Sequence, residues 1–188
     1  MRRKERIKQV VFDNFKIIYR SQFHQLIISP LGVGGFIMKQ SAGILLYRKM
    51  DNSPEVFLIH PGGPFWKNKD ESAWSIPKGE FNESEDPLKA AIREFEEETG
   101  TILSGNFQQL KPIKQKGGKI VYAWFIEGNI DAENIKSNTF QIEWPYKSGK
   151  MKTFPEVDKA SWFNIDEARK KINPAQAAFI EELLTQSL

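Results

Sequence analysis

Four glutamates crowd one short segment, REFEEETG at residues 93–100. On a helix, like charges three or four residues apart repel by roughly 0.2–0.5 kcal/mol per pair, and acids near the C-terminus also oppose the helix dipole. Glu94, Glu97 and Glu98 share the i, i+3, i+4 spacing, so their carboxylates converge, whereas Glu96 points to water. Three converging carboxylates suit a hard cation such as Mg²⁺, which would remove the repulsion. Taken alone, the run also fits a solvated helix face.

The helix that carries these acids has clear predicted limits. Asp86 is a good N-cap, Pro87 a good first helical residue, and Gly100 a natural stop after the C-terminus. One apolar stripe with helical spacing can pack on a sheet. It consists of Leu88, Ala91, Ile92 and Phe95.

Strands and helices alternate irregularly around this helix, which predicts an α/β/α sandwich with a mixed β-sheet. Gly117 and Gly118 separate two apolar segments as the turn of a β-hairpin would. The predicted strands are 42–48, 55–60, 74–76, 107–115, 119–129, 139–144 and 160–163. Helices are predicted at 165–172 and 174–186, after the acidic one.

Length and composition limit the classes of protein. The chain has 188 residues, enough for one well-packed domain. It contains no cysteine, which excludes a disulfide framework, a zinc-thiolate site and a thiol nucleophile. A net charge of +3 suits a polyanionic substrate.

The composition changes at residues 29–43, where Pro30 and several glycines resemble a linker. We therefore predict an N-terminal extension at 1–37 and a domain at 38–188. Met38, just before the first strand, leaves a native start at that residue open. Polar residues interrupt the apolar part of the N-terminus, so it does not read as a signal peptide. Nowhere does an apolar run reach the roughly 18–20 residues of a membrane span. We expect a cytoplasmic protein without a membrane partner.

The spacing upstream of the acidic run resembles the Nudix box, G-x5-E-x7-R-E-U-x-E-E-x-G-U, in which U is apolar. Eight of its nine specified positions match, and Thr101 replaces the last apolar residue. The matching residues are Gly79, Glu85, Arg93, Glu94, Phe95, Glu97, Glu98 and Gly100. Segments such as SAGILLYR, HPGGPFW and AWSIPKGE extend the resemblance to a bacterial Nudix branch described as predicted NTP pyrophosphohydrolases.

This resemblance implies the Nudix sandwich fold and hydrolysis of a nucleoside diphosphate linked to another group. By the same resemblance, Glu94, Glu97, Glu98 and the Gly79 carbonyl would bind Mg²⁺ or Mn²⁺. Arg93 and Glu85 would pair and orient the helix. The general base would be Glu94 or the later Glu156, which also fits an exposed loop acid.

Several residues are candidates for binding the substrate. Lys78 lies next to Gly79 and could meet a phosphate, or be a solvated turn lysine. Trp66, Tyr122, Trp144 and Tyr146 could stack on a base, although aromatic residues more often pack in cores. Lys147, Lys150 and Lys152 could attract a polyphosphate chain or belong to a solvated loop.

Three functions remain open. The favoured one is hydrolysis of a dinucleoside polyphosphate or nucleoside triphosphate, since the P-K-G-E segment is similar to diadenosine and diphosphoinositol polyphosphate hydrolases. The second is removal of pyrophosphate from RNA 5′ ends, and the third is a non-catalytic nucleotide-binding module. The expected partner is a phosphorylated nucleotide and not DNA, bound by a monomer or a homodimer.

Overall fold

The computed structural model describes residues 39–50, 53–115 and 117–187, which lie within one compact unit. The predicted extension at 1–37 lies outside the described residues. The strands are β1 (Gln40–Met50), β2 (Ser53–Pro61), β3 (Lys78–Phe81), β4 (Gln108–Lys114), β5 (Ile120–Glu127), β6 (Thr139–Glu143), β7 (Met151–Pro155) and β8 (Val157–Asn164). The helices are α1 (Pro87–Thr99), α2 (Ile165–Lys171) and α3 (Ala177–Ser187).

Six strands form one mixed sheet in the order β4-β5-β1-β2-β8, with β3 also paired to β1. β1 and β5 are parallel, and the other pairs of this sheet are antiparallel. One edge of β1 is shared, because residues 40–43 pair with β3 and residues 47–50 pair with β2. Between these stretches the Ile44 N–H donates to the Pro77 carbonyl at 3.0 Å. β1 and β2 therefore separate where β3 begins.

Each face of this sheet buries its own hydrophobic cluster. Alternate residues of β1 divide between them, with Leu45 and Tyr47 in one cluster and Ala42, Ile44 and Leu46 in the other. α2 and α3 contribute to the first cluster and α1 to the second. The predicted α/β/α sandwich with a mixed sheet is confirmed. Among the described helices, none has the length and apolar character needed to cross a membrane.

α1 begins and ends where the sequence predicts. The Asp86 side chain accepts a hydrogen bond from the Lys89 N–H at 3.0 Å, and Pro87 follows as the first helical residue. Gly100 adopts a left-handed conformation, with φ of 75°, and its N–H donates to the Glu96 carbonyl at 2.7 Å. Ala91 and Phe95 of the predicted stripe are buried, and Glu96 is exposed.

Three predicted details of the strands are wrong. Trp74 and Ser75 form only isolated bridges, to Ile172 and Ile59, and the segment does not continue as a strand because the Ile76 N–H donates to the Gln176 side chain. β3 and β7 were missed, since their sequences KGEF and MKTFP lack an apolar alternation. β7 pairs with β6 as a separate two-stranded hairpin.

Candidate active site

The carboxylate of Glu94 rests directly on the backbone of Gly79 in β3. A Cβ atom at residue 79 would lie only 1.7 Å from Glu94 Oε2. Any side chain there would displace the carboxylate, so this contact requires glycine. Antiparallel pairing of Gly79 with Ala42 fixes β3 against the centre of the sheet, where α1 packs. The first residue of the sequence motif is therefore in contact with its acidic helix.

Arg93 holds the acidic face of α1 together. Its Nε and Nη2 donate to the two oxygens of Glu85 at 2.9 and 3.0 Å, a bidentate pair. Its Nη1 lies 2.6 Å from Glu94 Oε1 and 3.3 Å from Glu97 Oε2. Hydrogen bonds to Glu85 are the main reason why the pKa of Arg93 rises above its ordinary value. The predicted pairing of Arg93 with Glu85 is observed.

Glu98 is bound to the same short strand as Glu94. Its Oε2 accepts a hydrogen bond from the Lys78 N–H at 2.8 Å. Burial raises the pKa of Glu98 to about 8, and the negative charges of Glu94 and Glu156 add to the rise. The Lys78 charge and N–H oppose it. The negative charge at Glu98 is thus incompletely compensated by the protein.

Glu156 reaches the acidic cluster from the bend between β7 and β8. Its carbonyl accepts from the Gly62 N–H, and its N–H donates to the Asn138 carbonyl, both at 2.8 Å. Burial raises the pKa of its carboxyl, and repulsion from Glu97 raises it further. Burial also raises the pKa of Glu94, against the effect of Arg93, with contributions from Glu97 and Glu156. Glu94, Glu97, Glu98 and Glu156, here called the acid cluster, share one region of negative potential.

A short segment, residues 136–138, connects the end of α1 to Glu156. The Lys136 N–H donates to the Thr99 carbonyl at 2.9 Å, and the Asn138 N–H donates to the Glu97 carbonyl at 3.0 Å. Ser137 Oγ accepts from the Val157 N–H at 3.0 Å. These contacts satisfy C-terminal carbonyls of the helix and fix the distance from Glu97 to Glu156. No sequence pattern marked this segment, because its contacts join positions far apart in the chain.

The acid cluster has the donor chemistry of a divalent metal site. In the described residues, however, no group of three or more His, Asp or Glu side chains is arranged to hold a metal ion. Arg93 engages Glu94 and Glu97, and the Lys78 N–H engages Glu98. Oxygen donors that repel one another fit a hard cation, which would replace these internal partners. The predicted ligands thus lie together, but their carboxylates do not meet at one point.

The predicted aromatic residues do not form one stacking platform. Trp66 packs against the cluster that includes α2 and α3, whereas Tyr122 packs against the α1 cluster and contacts Phe81 edge to face. Tyr146 lies at the tip of the β6–β7 hairpin and is 47% exposed. Trp144 contacts Phe65 with ring centroids 5.1 Å apart.

Sequence reasoning missed a group of lysines beside Lys78. Lys119 and Lys39 approach Glu80 Oε1 at 3.1 and 3.6 Å. Burial lowers the pKa of Lys119, and repulsion from Lys78 lowers it further. On the same face of the sheet, Ser41 Oγ is buried and has no hydrogen-bond partner among the described residues. In the sequence, Lys39 and Lys119 each stand just before a strand. That position by itself does not indicate that the two lysines lie close together.

Comparison with known proteins agrees with this geometry. Residues 38–183 match the family described as NUDIX domain. The mRNA-decapping protein g5R of African swine fever virus (isolate Pig/Kenya/KEN-50/1950) is 31% identical over 115 residues, which are 59% of this chain and 44% of the relative. The asymmetrical bis(5′-nucleosyl)-tetraphosphatase of Mus musculus is 30% identical over 99 residues, 47% of this chain and 64% of the relative. The chain spans less than two thirds of either relative.

Solved structures show the same fold. A C. elegans Ap4A hydrolase binary complex matches with a TM-score of 0.54 and 22% identity, covering 79% of this chain and 96% of that one. The NUDIX domain of Shewanella oneidensis NrtR complexed with ADP ribose has a TM-score of 0.58 and 15% identity, covering 85% and 94%. Because the family match takes in every strand described above, the chain belongs to the NUDIX domain family.

Proposed function

We propose that the protein hydrolyses a diphosphate linkage in nucleoside diphosphate compounds, in a reaction that requires a divalent metal. The observation that carries this proposal is the acid cluster, in which Glu94 and Glu98 contact β3 and have raised pKa values. Their internal partners do not offset the burial and mutual repulsion of these acids, so an external cation is the simplest compensation. Family members generally depend on a divalent metal.

Each member of the site has a distinct proposed role. Glu94, Glu97, Glu98 and the Gly79 carbonyl would hold Mg²⁺ or Mn²⁺. Such an ion supplies charge neutralisation at the diphosphate and lowers the pKa of a bound water. Arg93 keeps Glu94 and Glu97 oriented, and Glu85 holds Arg93 in turn. Gly100 ends the helix immediately after these residues.

Glu156 is the proposed general base. The guanidinium of Arg93 lies 2.6 Å from Glu94 and opposes the rise that burial causes in the pKa of Glu94, whereas no guanidinium opposes the rise at Glu156. Glu156 faces the cluster from another element, and its pKa is raised by burial and by Glu97. A carboxylate with a raised pKa binds a proton from water more readily at neutral pH. Glu94 stays the alternative base.

The favoured substrate carries a long phosphate chain, such as a dinucleoside polyphosphate or a nucleoside triphosphate. Burial lowers the pKa of Lys119, and the charge of Lys78 lowers it further, which places two positive charges near each other beside β3. Lys119 already pairs with Glu80, so additional phosphates would first give the ammonium group of Lys78 a partner. The similarity to the mouse asymmetrical tetraphosphatase supports the same choice.

A substrate panel tests this proposal. With Mg²⁺ or Mn²⁺, we expect kcat/KM for diadenosine tetraphosphate to exceed the values for ADP-ribose and UDP-glucose. Lys78→Met should lower kcat/KM for diadenosine tetraphosphate roughly tenfold or more, since a charged hydrogen bond contributes about 1.5–3 kcal/mol. The same substitution should lower kcat/KM for ADP-ribose less. A preference for ADP-ribose, or equal losses for both substrates, would exclude the polyphosphate assignment.

RNA 5′ ends are the second candidate substrate. The similarity to a viral mRNA-decapping protein favours them. The same panel should therefore contain an RNA with a 5′-triphosphate. If no compound in the panel is hydrolysed with either metal, the proposed activity toward these substrates is wrong, and the third function, a non-catalytic binding module, is favoured.

A further inference from the structure

The β6–β7 hairpin stands outside the six-stranded sheet and is fixed to the loop after β2. Five register pairs join its strands, from Thr139 with Pro155 to Glu143 with Met151. Trp144 contacts Phe65 edge to face, and a Cβ on Gly63 would lie 3.0 Å from Phe140. The hairpin is thus held at its base and along one side.

The hairpin concentrates positive charge that has no acidic partner among the residues that the structure describes. Residues 139–155 contain three lysines and one glutamate. Glu143 accepts a hydrogen bond from the Gly149 N–H at 2.6 Å. Lys147, Lys150 and Lys152 are exposed, and none makes an ion pair within the described parts of the chain. Exposed cations without acidic partners attract a polyanion.

Lysines and aromatic rings share one side of the hairpin. Lys152 is directly opposite Ile142, and the Trp144 N–H donates to the Lys150 carbonyl. Opposed residues project to the same face of an antiparallel pair, so Lys150 and Lys152 lie on the side of Trp144. At the tip, Lys147 Nζ lies 5.4 Å from the centre of the Tyr146 ring. Basic side chains interleaved with aromatic rings are typical of surfaces that bind single-stranded nucleic acid.

The row of lysines leads away from the acid cluster. β7 ends at Pro155, and Glu156 follows directly. At about 3.4 Å per residue, Lys152 and Lys150 lie about 14 and 20 Å along the strand from Glu156. A stacked nucleic acid strand carries one phosphate about every 3.4 Å of its axis and an extended strand carries fewer, so this path corresponds to at most about six nucleotides. The lysines therefore extend farther than a short phosphate chain held at the acid cluster.

We infer that the β6–β7 hairpin binds a single strand of RNA, through its phosphates at Lys147, Lys150 and Lys152 and through base stacking at Tyr146. The inference rests on the proposed function, because it places the RNA chain beyond a 5′ phosphate group held at the acid cluster. It concerns the second candidate substrate, the 5′ end of an RNA, and leaves the proposed hydrolysis of free nucleotides unchanged.

Fluorescence anisotropy of the full chain with a 3′-labelled, 5′-hydroxyl, 12-nucleotide RNA tests the inference without requiring hydrolysis. Buffers contain EDTA and a range of KCl concentrations. We expect Lys150→Gln with Lys152→Gln to raise Kd about tenfold at low salt. The slope of log Kd against log salt should fall by about 1.4, since each lost phosphate contact contributes about 0.7 for single strands. Tyr146→Ala should raise Kd and leave the salt slope unchanged.

A matched double variant controls for overall charge. Lys111→Gln with Lys114→Gln removes two exposed lysines from β4, at the opposite edge of the sheet from β8. It should leave Kd within about twofold. Equal losses in the two double variants would show general attraction and overturn the inference. Equal affinity for a 3-nucleotide RNA, or for tripolyphosphate, would assign the lysines to a short phosphate chain instead. Failure of the proposed hydrolysis is recognised separately, by an inactive wild-type protein in the substrate panel.

Discussion

At the scale of single residues, the acid cluster is balanced by internal contacts that a metal would replace. Glu98 accepts a hydrogen bond from the neutral N–H of Lys78, whereas Glu94 forms an ion pair with the charged guanidinium of Arg93. Glu98→Gln keeps the shape and removes a charge. We expect turnover in Mg²⁺ to fall on the order of 100-fold or more, because loss of a ligand weakens charge stabilisation at the diphosphate. Steady-state kinetics and circular dichroism measure turnover and folding.

Glu96→Gln is the matched control for this substitution. Glu96 lies on the same helix and carries the same charge, but it is exposed. Its replacement should change turnover less than about twofold, as surface substitutions usually do little. Near-wild-type activity of Glu98→Gln would refute the ligand assignment. Equal damage at residue 96 would show that local charge, and not metal binding, is responsible.

The pKa of Glu98 predicts how stability depends on pH in the metal-free protein. In the folded state this pKa is about 8, against an ordinary value of 4.5. Between these values the folded protein binds a proton that the unfolded chain has lost, so the free energy of unfolding decreases as pH rises from about 4.5 to 8. Urea denaturation in EDTA should show this decrease, and Glu98→Gln should reduce it. An unchanged pH slope in the variant would contradict the prediction.

At the scale of elements, segment 136–138 couples α1 to the bend that carries Glu156. Ser137→Ala leaves the buried Val157 N–H without its acceptor, which costs about 1–3 kcal/mol of unfolding free energy. If Glu156 is the general base, turnover of the Ser137→Ala variant should fall severalfold. The pKa that limits turnover on the acidic side of the pH profile should also shift. Ser137→Thr keeps the hydroxyl, so its stability and its pH profile of turnover should be those of the unchanged protein. Urea denaturation and pH-dependent kinetics provide the measurements.

Ser148→Ala provides the comparison for Ser137. Ser148 Oγ also accepts a backbone N–H, that of Lys150 at 3.2 Å, but in an exposed turn where water can replace it. Its loss should cost less than about 0.5 kcal/mol. Lower stability of Ser137→Ala with an unchanged pH profile would mean that the segment stabilises the fold without positioning Glu156.

The elements also differ in how far the sequence predicts them. α1 was predicted closely because its N-cap, its first proline and its glycine stop are local signals. β3 and β7 were missed because short, largely polar strands depend on partners distant in the sequence. The family resemblance implied that Gly79 and Glu94 bind one metal, but their direct contact follows only from the tertiary structure, as do the positions of Lys119 and Ser137.

At the scale of the whole molecule, the family match at 38–183 contains every described strand and the helices α1 and α2. The predicted domain at 38–188 also includes all of α3. A chain that begins at Met38 should therefore fold cooperatively and keep hydrolysis. We expect its Tm within about 4 °C of the full chain, a difference of about 1 kcal/mol.

Calorimetry and the substrate panel test this expectation when they are applied to the full chain and to the chain that begins at Met38. The extension contains the apolar residues Val10, Val11, Phe12, Ile17 and Ile18. If these residues pack on the domain or on a second subunit, their removal exposes apolar surface. Loss of the cooperative transition, or a change of oligomeric state in light scattering, would then accompany the truncation and show that the domain boundary at residue 38 is wrong. Retained unfolding with lost hydrolysis would instead place part of the extension in the substrate site.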